Sequence, residues 1–260
     1  MAAEEKTYRE ALREAMVEEM DRDESVVLMG EDIGVYGGTH LITDGLYDEY
    51  GPKRIMDTPI SEGGFTGAAI GMAMTGMKPV VEMMTWNFSF LAADQIIQNA
   101  AKVRYFSGGQ VEVPLVIRGP NGGGVQLSAQ HTHSLESFYG HFPGLKVVAP
   151  VTPNDVKGMM LTAIRDPNPV IFLEAGALYG TKGEVEEGDN AVPFGKARIA
   201  REGSDVTLIA CGRQVNLCLR VADALAEEDV EAEVIDLRSL RPFDEDTIVE
   251  SVEKTHRAVA

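Results

Sequence analysis

Five short stretches of this chain are apolar almost throughout: "SVVLMG" from Ser25, "KPVVEMM" from Lys78, "VPLVIRG" from Val113, "LKVVAP" from Leu145 and "PVIFLE" from Pro169. A strand with one wet face alternates apolar and polar residues, so a strand without alternation is covered on both sides. Between these stretches lie segments with helical spacing, among them "GGFTGAAIGMAMTG", "FLAADQIIQNAAKVRYF" and "NDVKGMMLTAIRD". Strands that alternate with helices and are buried on both faces require a parallel sheet with helices on each side, a doubly wound α/β fold.

The punctuation supports that order. Thr7 and Glu10 form a T-x-x-E capping box before "YREALREAMVEEM". Thr152 followed by Pro153 marks the start of a later helix. Residues 1–176 read as one α/β domain. Residues 177–204 are polar, rich in glycine and acid and mostly without periodicity, and read as a connection. A second α/β unit occupies 205–260, where "DVTLIACG", "EAEVIDLRSL" and "RAVA" are the expected strands. With three strands and no closing helix, that unit reads as the start of a larger domain.

Charge narrows the functional classes. Forty-one acidic against 23 basic residues give a net charge of −18, which repels nucleic acid and anionic membrane alike. No apolar run reaches the roughly 18 residues of a membrane span. The first residues, "MAAEEK", carry acids where a targeting peptide carries bases. Cys211 and Cys218 match no zinc or redox spacing and read as reduced packing residues. The expected location is the cytoplasm, or the plastid stroma or mitochondrial matrix for a mature chain.

Nucleotide motifs are missing: "GPNGGGV" lacks the Lys-Ser/Thr of a P-loop, and no G-x-G-x-x-G follows a strand and opens a helix. A dinucleotide-binding oxidoreductase is therefore disfavoured. Glycines 63, 64, 67, 71 and 76 read as close-packing positions. Three features remain. "DTPISEGGFTG" sets one acid, Glu62, before a glycine- and alanine-rich helix that offers it no cation. Ser61 could cap that helix and the helix dipole would favour the acid, so sequence alone allows a structural role. "QHTHS" places His131 and His133 in a long glycine-rich loop after a central strand, where open α/β sheets hold ligand residues. No further His or Cys completes a metal site with them. "MTWNFSF" reads as an extended segment with Trp86, Phe88 and Phe90 on one side.

These segments in this order, with "GEDIGVYGG", "RIMDTPISEGGFTGAAIGMAMTG", "VIRGPNGGG", "HFPGLKVVAPVTPNDVKGMM", "AIRDPNPVIFLE" and "VIDLRSLRPFD", resemble one family over essentially the whole chain. It is the beta subunits of the pyruvate dehydrogenase decarboxylating component, within the thiamine-diphosphate-dependent 2-oxoacid dehydrogenases. The resemblance implies a transketolase-like pyrimidine-binding domain followed by an incomplete transketolase C-terminal-like domain. It implies thiamine diphosphate between this chain and an alpha subunit in an α2β2 heterotetramer, with Mg²⁺ held mainly by alpha. The family's diphosphate motif, G-D-G…N, is absent here. A lipoyl acetyltransferase component is the implied downstream partner.

Residue by residue, the resemblance assigns Glu62 to the cofactor's pyrimidine nitrogen N1′, Phe88 to stacking on the pyrimidine, and Met84 to the same pocket. His131 matches a histidine facing the reacting centre, and His133 matches no family residue. A structural K⁺ maps onto Leu115, Ala163, Ile164, Asp166 and Asn168. The expected reaction is decarboxylation of pyruvate with acetyl transfer to a lipoyl group. Alternatives are an acetoin or branched-chain 2-oxoacid dehydrogenase beta subunit, or a non-catalytic beta-like assembly module.

Overall fold

The computed structural model describes residues 3–123 and 127–260; Gly124, Val125 and Gln126, part of the long loop expected above, lie outside them. β1 (Ala3–Thr7) runs into α1 (Tyr8–Arg22), and the capping box forms: Thr7 Oγ1 accepts the Glu10 N–H at 3.2 Å while Glu10 accepts the Thr7 N–H at 2.7 Å. A cap of this kind is worth about 1 kcal/mol. β2 (Val26–Gly30), α2 (Leu46–Tyr50), β3 (Ile55–Asp57), α3 (Glu62–Met74) and β4 (Lys78–Glu82) follow. Then come α4 (Ala101–Phe106), β5 (Val116–Asn121), α5 (Glu136–Gly140), β6 (Lys146–Val148), α6 (Pro153–Arg165) and β7 (Val170–Ala175). Further along are β8 (Lys182–Glu186), β9 (Arg198–Arg201), β10 (Val206–Ala210) and α7 (Gln214–Ala226). The last elements are β11 (Ala232–Asp236), β12 (Ser239–Arg241), α8 (Glu245–Thr255) and β13 (Ala258–Val259).

The main sheet has seven strands in the order β12-β6-β7-β5-β4-β2-β3. All its pairings are parallel except β12 with β6. Its apolar strands divide their side chains between two cores, as strands covered on both faces must. Val26, Leu28, Val80, Val116, Val170 and Phe172 join α1 and α6 on one side. Met29, Val81, Ile117, Ile171 and Leu173 join α3 and the following helical segments on the other. Each such side chain, fully buried, contributes about 1.5–3 kcal/mol. This is the α/β architecture expected from sequence, with mixed rather than wholly parallel sheets.

Several elements differ from the sequence reading. The polar connection 177–204 contains β8, which pairs antiparallel with β1, and β9, which joins a second sheet ordered β13-β10-β11-β9. Hydrophobic periodicity does not find such strands because their faces are only partly covered. The single strand expected over 231–240 is two. A left-handed turn at Arg238 (φ 54°) ends β11 and sends β12 onto the edge of the main sheet. The expected helix over 90–106 is a 3₁₀ segment, Trp86–Ala92, then a π-helical turn, Gln95–Ala100, and only then α4. Among the described residues no helix is long and apolar enough to cross a membrane.

Candidate active site

The site residues gather where parallel strands of the main sheet end, the edge at which open α/β sheets bind ligands. β4 ends at Glu82 and the chain continues through Met83 and Met84 into the 3₁₀ segment. Beside it, β5 passes through Gly119, at φ 155°, where a Cβ would stand 2.2 Å from the Met83 carbonyl oxygen. Only glycine allows so close an approach of the two backbones.

The aromatic segment corrects the extended reading of "MTWNFSF". In the 3₁₀ turn its three aromatics separate: Trp86 is fully buried, Phe88 half-buried, and Phe90 exposed at 44%. Local hydrogen bonds hold the turn. Ser89 Oγ donates to the Trp86 carbonyl at 2.6 Å and receives the Tyr139 hydroxyl at 2.5 Å. The Trp86 indole N–H reaches the Phe172 carbonyl at 3.3 Å. A hydroxyl that bonds its own backbone three residues back is the competition that deflects such a sequence from a strand.

A cavity of about 500 Å³ opens here, lined by Met84, Phe88, Asn121 and His131 on one side and by His40 and Tyr179 on the other. His131 stands edge-on to Phe88, with ring centroids 5.2 Å apart and planes at 82°. The loop carrying His131 is tied to its surroundings: Asn121 Oδ1 accepts the Leu135 N–H, Asn121 Nδ2 donates to Glu136, and the Gly122 N–H reaches the His133 carbonyl at 3.0 Å. From the second unit, the Arg213 guanidinium donates to the Gly123 carbonyl. Burial pushes the His40 imidazole below its usual pKa, favouring its neutral form at the cavity wall.

Glu62 does not line this cavity. It opens α3, 5% exposed, and the neighbouring Gly63 faces the Leu91 carbonyl, from which a Cβ would stand 3.0 Å. α3 thus rests directly on the segment that carries Phe88. Ser61 does not cap α3 through its side chain. Among the described residues no cation or donor engages the Glu62 carboxylate. Its charged neighbour is another acid, Glu31, 8% exposed, just beyond β2. Burial, reinforced by the Glu62 carboxylate, raises the Glu31 pKa. Glu31 Oε1, Thr58 Oγ1 and Thr66 Oγ1 are buried without partners. Unsatisfied buried polar atoms are rare and costly, and those of Glu31 and Thr66 fall on or beside the acid pair, where a polar ligand edge would satisfy them. Glu31 is a site residue that the sequence motifs above do not single out. Its signal, an acid closing a strand buried on both faces, was present.

The residues assigned to K⁺ lie together around the end of α6. The Ala163 carbonyl accepts the Asp166 N–H at 3.3 Å and the Leu115 carbonyl the Val170 N–H at 2.8 Å. Asp166 is already engaged by the Lys146 ammonium and by Asn168, which donates both its backbone N–H and its amide. The carboxylate is therefore neutralised by Lys146, and the groups left here for a hard cation are backbone carbonyl oxygens. Helix C-terminal carbonyls are otherwise under-bonded and attract positive charge.

The chain matches known families along its length. The transketolase pyrimidine-binding domain covers residues 4–181 and the transketolase C-terminal domain residues 195–260. It is 53% identical over 253 residues to "Pyruvate dehydrogenase E1 component subunit beta" of Rickettsia felis, covering 97% of this chain and 78% of that protein. With "Pyruvate dehydrogenase E1 component subunit beta-2, mitochondrial" of Oryza sativa subsp. japonica it shares 52% over 262 residues, covering 99% and 70%. A solved structure described as "Split gene transketolase, inactive beta4 tetramer" superposes with a TM-score of 0.78 at 26% identity, over 97% of this chain and 78% of that one. With the mostly parallel sheet, the buried acid that meets no cation among the described residues and the aromatic–histidine cavity, these matches place the chain in the transketolase-like family, among the pyruvate dehydrogenase E1 beta subunits.

Proposed function

We propose that this chain, paired with a separate alpha chain as α2β2, decarboxylates pyruvate and passes the acetyl unit to lipoyl groups of an acetyltransferase. The observation that carries the proposal is Glu62: a buried carboxylate with no cation, beside unsatisfied polar atoms, in a chain about half identical to relatives named for this activity. Residues 1–176 serve as the pyrimidine-binding domain, 205–260 as a partial C-terminal domain and 177–204 as the connection.

Thiamine diphosphate, when bound, supplies a carbon nucleophile for the keto carbon and a sink for the electrons left by CO₂. Glu62 holds a proton between its carboxylate and pyrimidine N1′, and the lack of a competing cation strengthens that coupling. Phe88, in the cavity wall beside His131, would offer its ring to the pyrimidine. Met84 packs in the same wall. His131 orients the substrate carboxylate and can give a proton from its imidazole to the developing oxygen charge. The alpha chain supplies the Mg²⁺ site. A structural K⁺ is held by Leu115, Ala163, Ile164, Asp166 and Asn168, and the check is a melting curve in KCl against one in tetramethylammonium chloride.

The deciding measurement is artificial-acceptor reduction by the full-length chain co-purified with its alpha partner, given pyruvate, acetoin or 2-oxoisovalerate. Preference for pyruvate, dependent on added thiamine diphosphate and lost in Glu62→Gln, is the expected result. Preference for another substrate reassigns the substrate alone. Full turnover by Glu62→Gln returns Glu62 to the role of a helix-start acid.

A further inference from the structure

His131 and His133 are held very differently. Among the described residues His131 has one backbone bond, its N–H to the Ser128 carbonyl at 3.3 Å within its own turn, and one edge contact, to Phe88. His133, two residues on, is fixed at three points. Its backbone N–H donates to Asn87 Oδ1 at 3.0 Å, its carbonyl accepts the Gly122 N–H, and its ring Nδ1 meets the same Asn87 oxygen at 2.5 Å. Its ring stands edge-on to Phe90, centroids 5.8 Å apart and planes at 88°. The two histidines, two apart, thus meet two phenylalanines, two apart, on the 3₁₀ turn.

The hydrogen bonds fix the chemistry of the clamp. Asn87 is buried and its Nδ2 donates to Thr85 Oγ1 at 2.7 Å, so the atom facing His133 is the amide oxygen. An amide oxygen only accepts, and therefore Nδ1 of His133 carries its proton. Asn87 lies immediately before Phe88 in the chain. One side chain accordingly sets both the turn that presents Phe88 and the loop that presents His131.

We propose that His133, locked to Asn87, is the positioning residue that holds His131 over the reacting centre. The inference rests on the role given to His131 above and assigns His133 no contact with substrate. A loop residue whose hydrogen bonding, among the described residues, stays within its own turn borrows precision from a neighbour, and a misplacement of about 1 Å costs up to roughly 100-fold in rate.

A double-mutant cycle on the full-length alpha–beta enzyme tests it, with kcat and KM for pyruvate measured for each variant. His131→Ala is expected to lower kcat roughly 100-fold. His133→Phe keeps the edge contact but loses the Nδ1 donor, and should lower kcat about 10-fold with KM within about 2-fold. His133→Asn restores a donor near the Nδ1 position and should recover most of that loss. In the His131→Ala background His133→Phe should have no further effect. Melting temperatures of all four variants exclude global unfolding as the cause. His133→Phe equally damaging in both backgrounds, or harmless with His131 intact, overturns the inference alone. A silent His131→Ala overturns the role of His131 and this inference with it.

Discussion

Two groups of buried acids lie close together at the main sheet, one across β4, β5 and β7 and the other at the end of the adjacent β2 and the start of α3, and they are treated in opposite ways. At the centre, Arg118, 1% exposed, donates to Glu174 through Nε and Nη2 and to Glu82 through Nη1, while the Tyr179 hydroxyl adds a bond to Glu174 at 2.6 Å. Beside β2, Glu31 and Glu62 are also buried, face each other's charge and, among the described residues, have no cation. Burying a carboxylate is affordable when it is paired and hydrogen-bonded. The first group obeys that rule and serves the fold. The second breaks it, which is expected where the missing partner is a ligand.

The contrast can be broken experimentally. Arg118→Met leaves two buried carboxylates around an apolar side chain and should cost about 3–5 kcal/mol, read as a large fall in denaturant midpoint. Glu62→Gln should melt no lower than the wild type at pH 7, because it relieves the repulsion with Glu31, while cofactor-dependent turnover falls roughly 100-fold. A comparable loss of stability there would mean that the unpaired acid is structural after all.

Glu31 sharpens the comparison through pH. Its folded-state pKa is raised, so its contribution to stability is fully present below the unfolded value and is lost as pH climbs through the raised one. Glu31→Gln should therefore match the wild type at about pH 3.5 and melt higher at pH 7, by roughly 2–4 °C. Identical melting at both pH values would remove the repulsion from the account. The smallest effect is expected for Glu82→Gln. Glutamine retains an oxygen for Arg118, and Arg118 keeps Glu174 as its charge partner, so the change should cost about 1 kcal/mol.

How much of this was written in the sequence depends on the kind of signal. The doubly wound sheet was legible because burial on both faces removes alternation from its strands. The caps at Thr7 and Thr152 were legible because capping is a local hydrogen bond. β8 and β9 were not, because they are held by pairing partners distant in the chain and only partly covered. "MTWNFSF" misled because Ser89 and Tyr139 select a 3₁₀ turn over the extended form its aromatics favour. In the site, Glu62 stood out as an acid without a cation. His133 did not, since its partner Asn87 is 46 residues away.

The antiparallel edge strand β12 bears on how the chain comes together as it is made. It follows β11, which belongs to the other sheet, yet it pairs with β6 at the edge of the main one. A ribosome delivering the chain from its N-terminus exposes the open edge of β6 until the second sheet's central strands have been synthesised. Until then that edge can pair with any extended segment nearby, including the same strand of another nascent chain. β12 therefore covers an edge of the first domain that stays open until late in synthesis, and mutations that slow its docking should show themselves as aggregation rather than as lost catalysis.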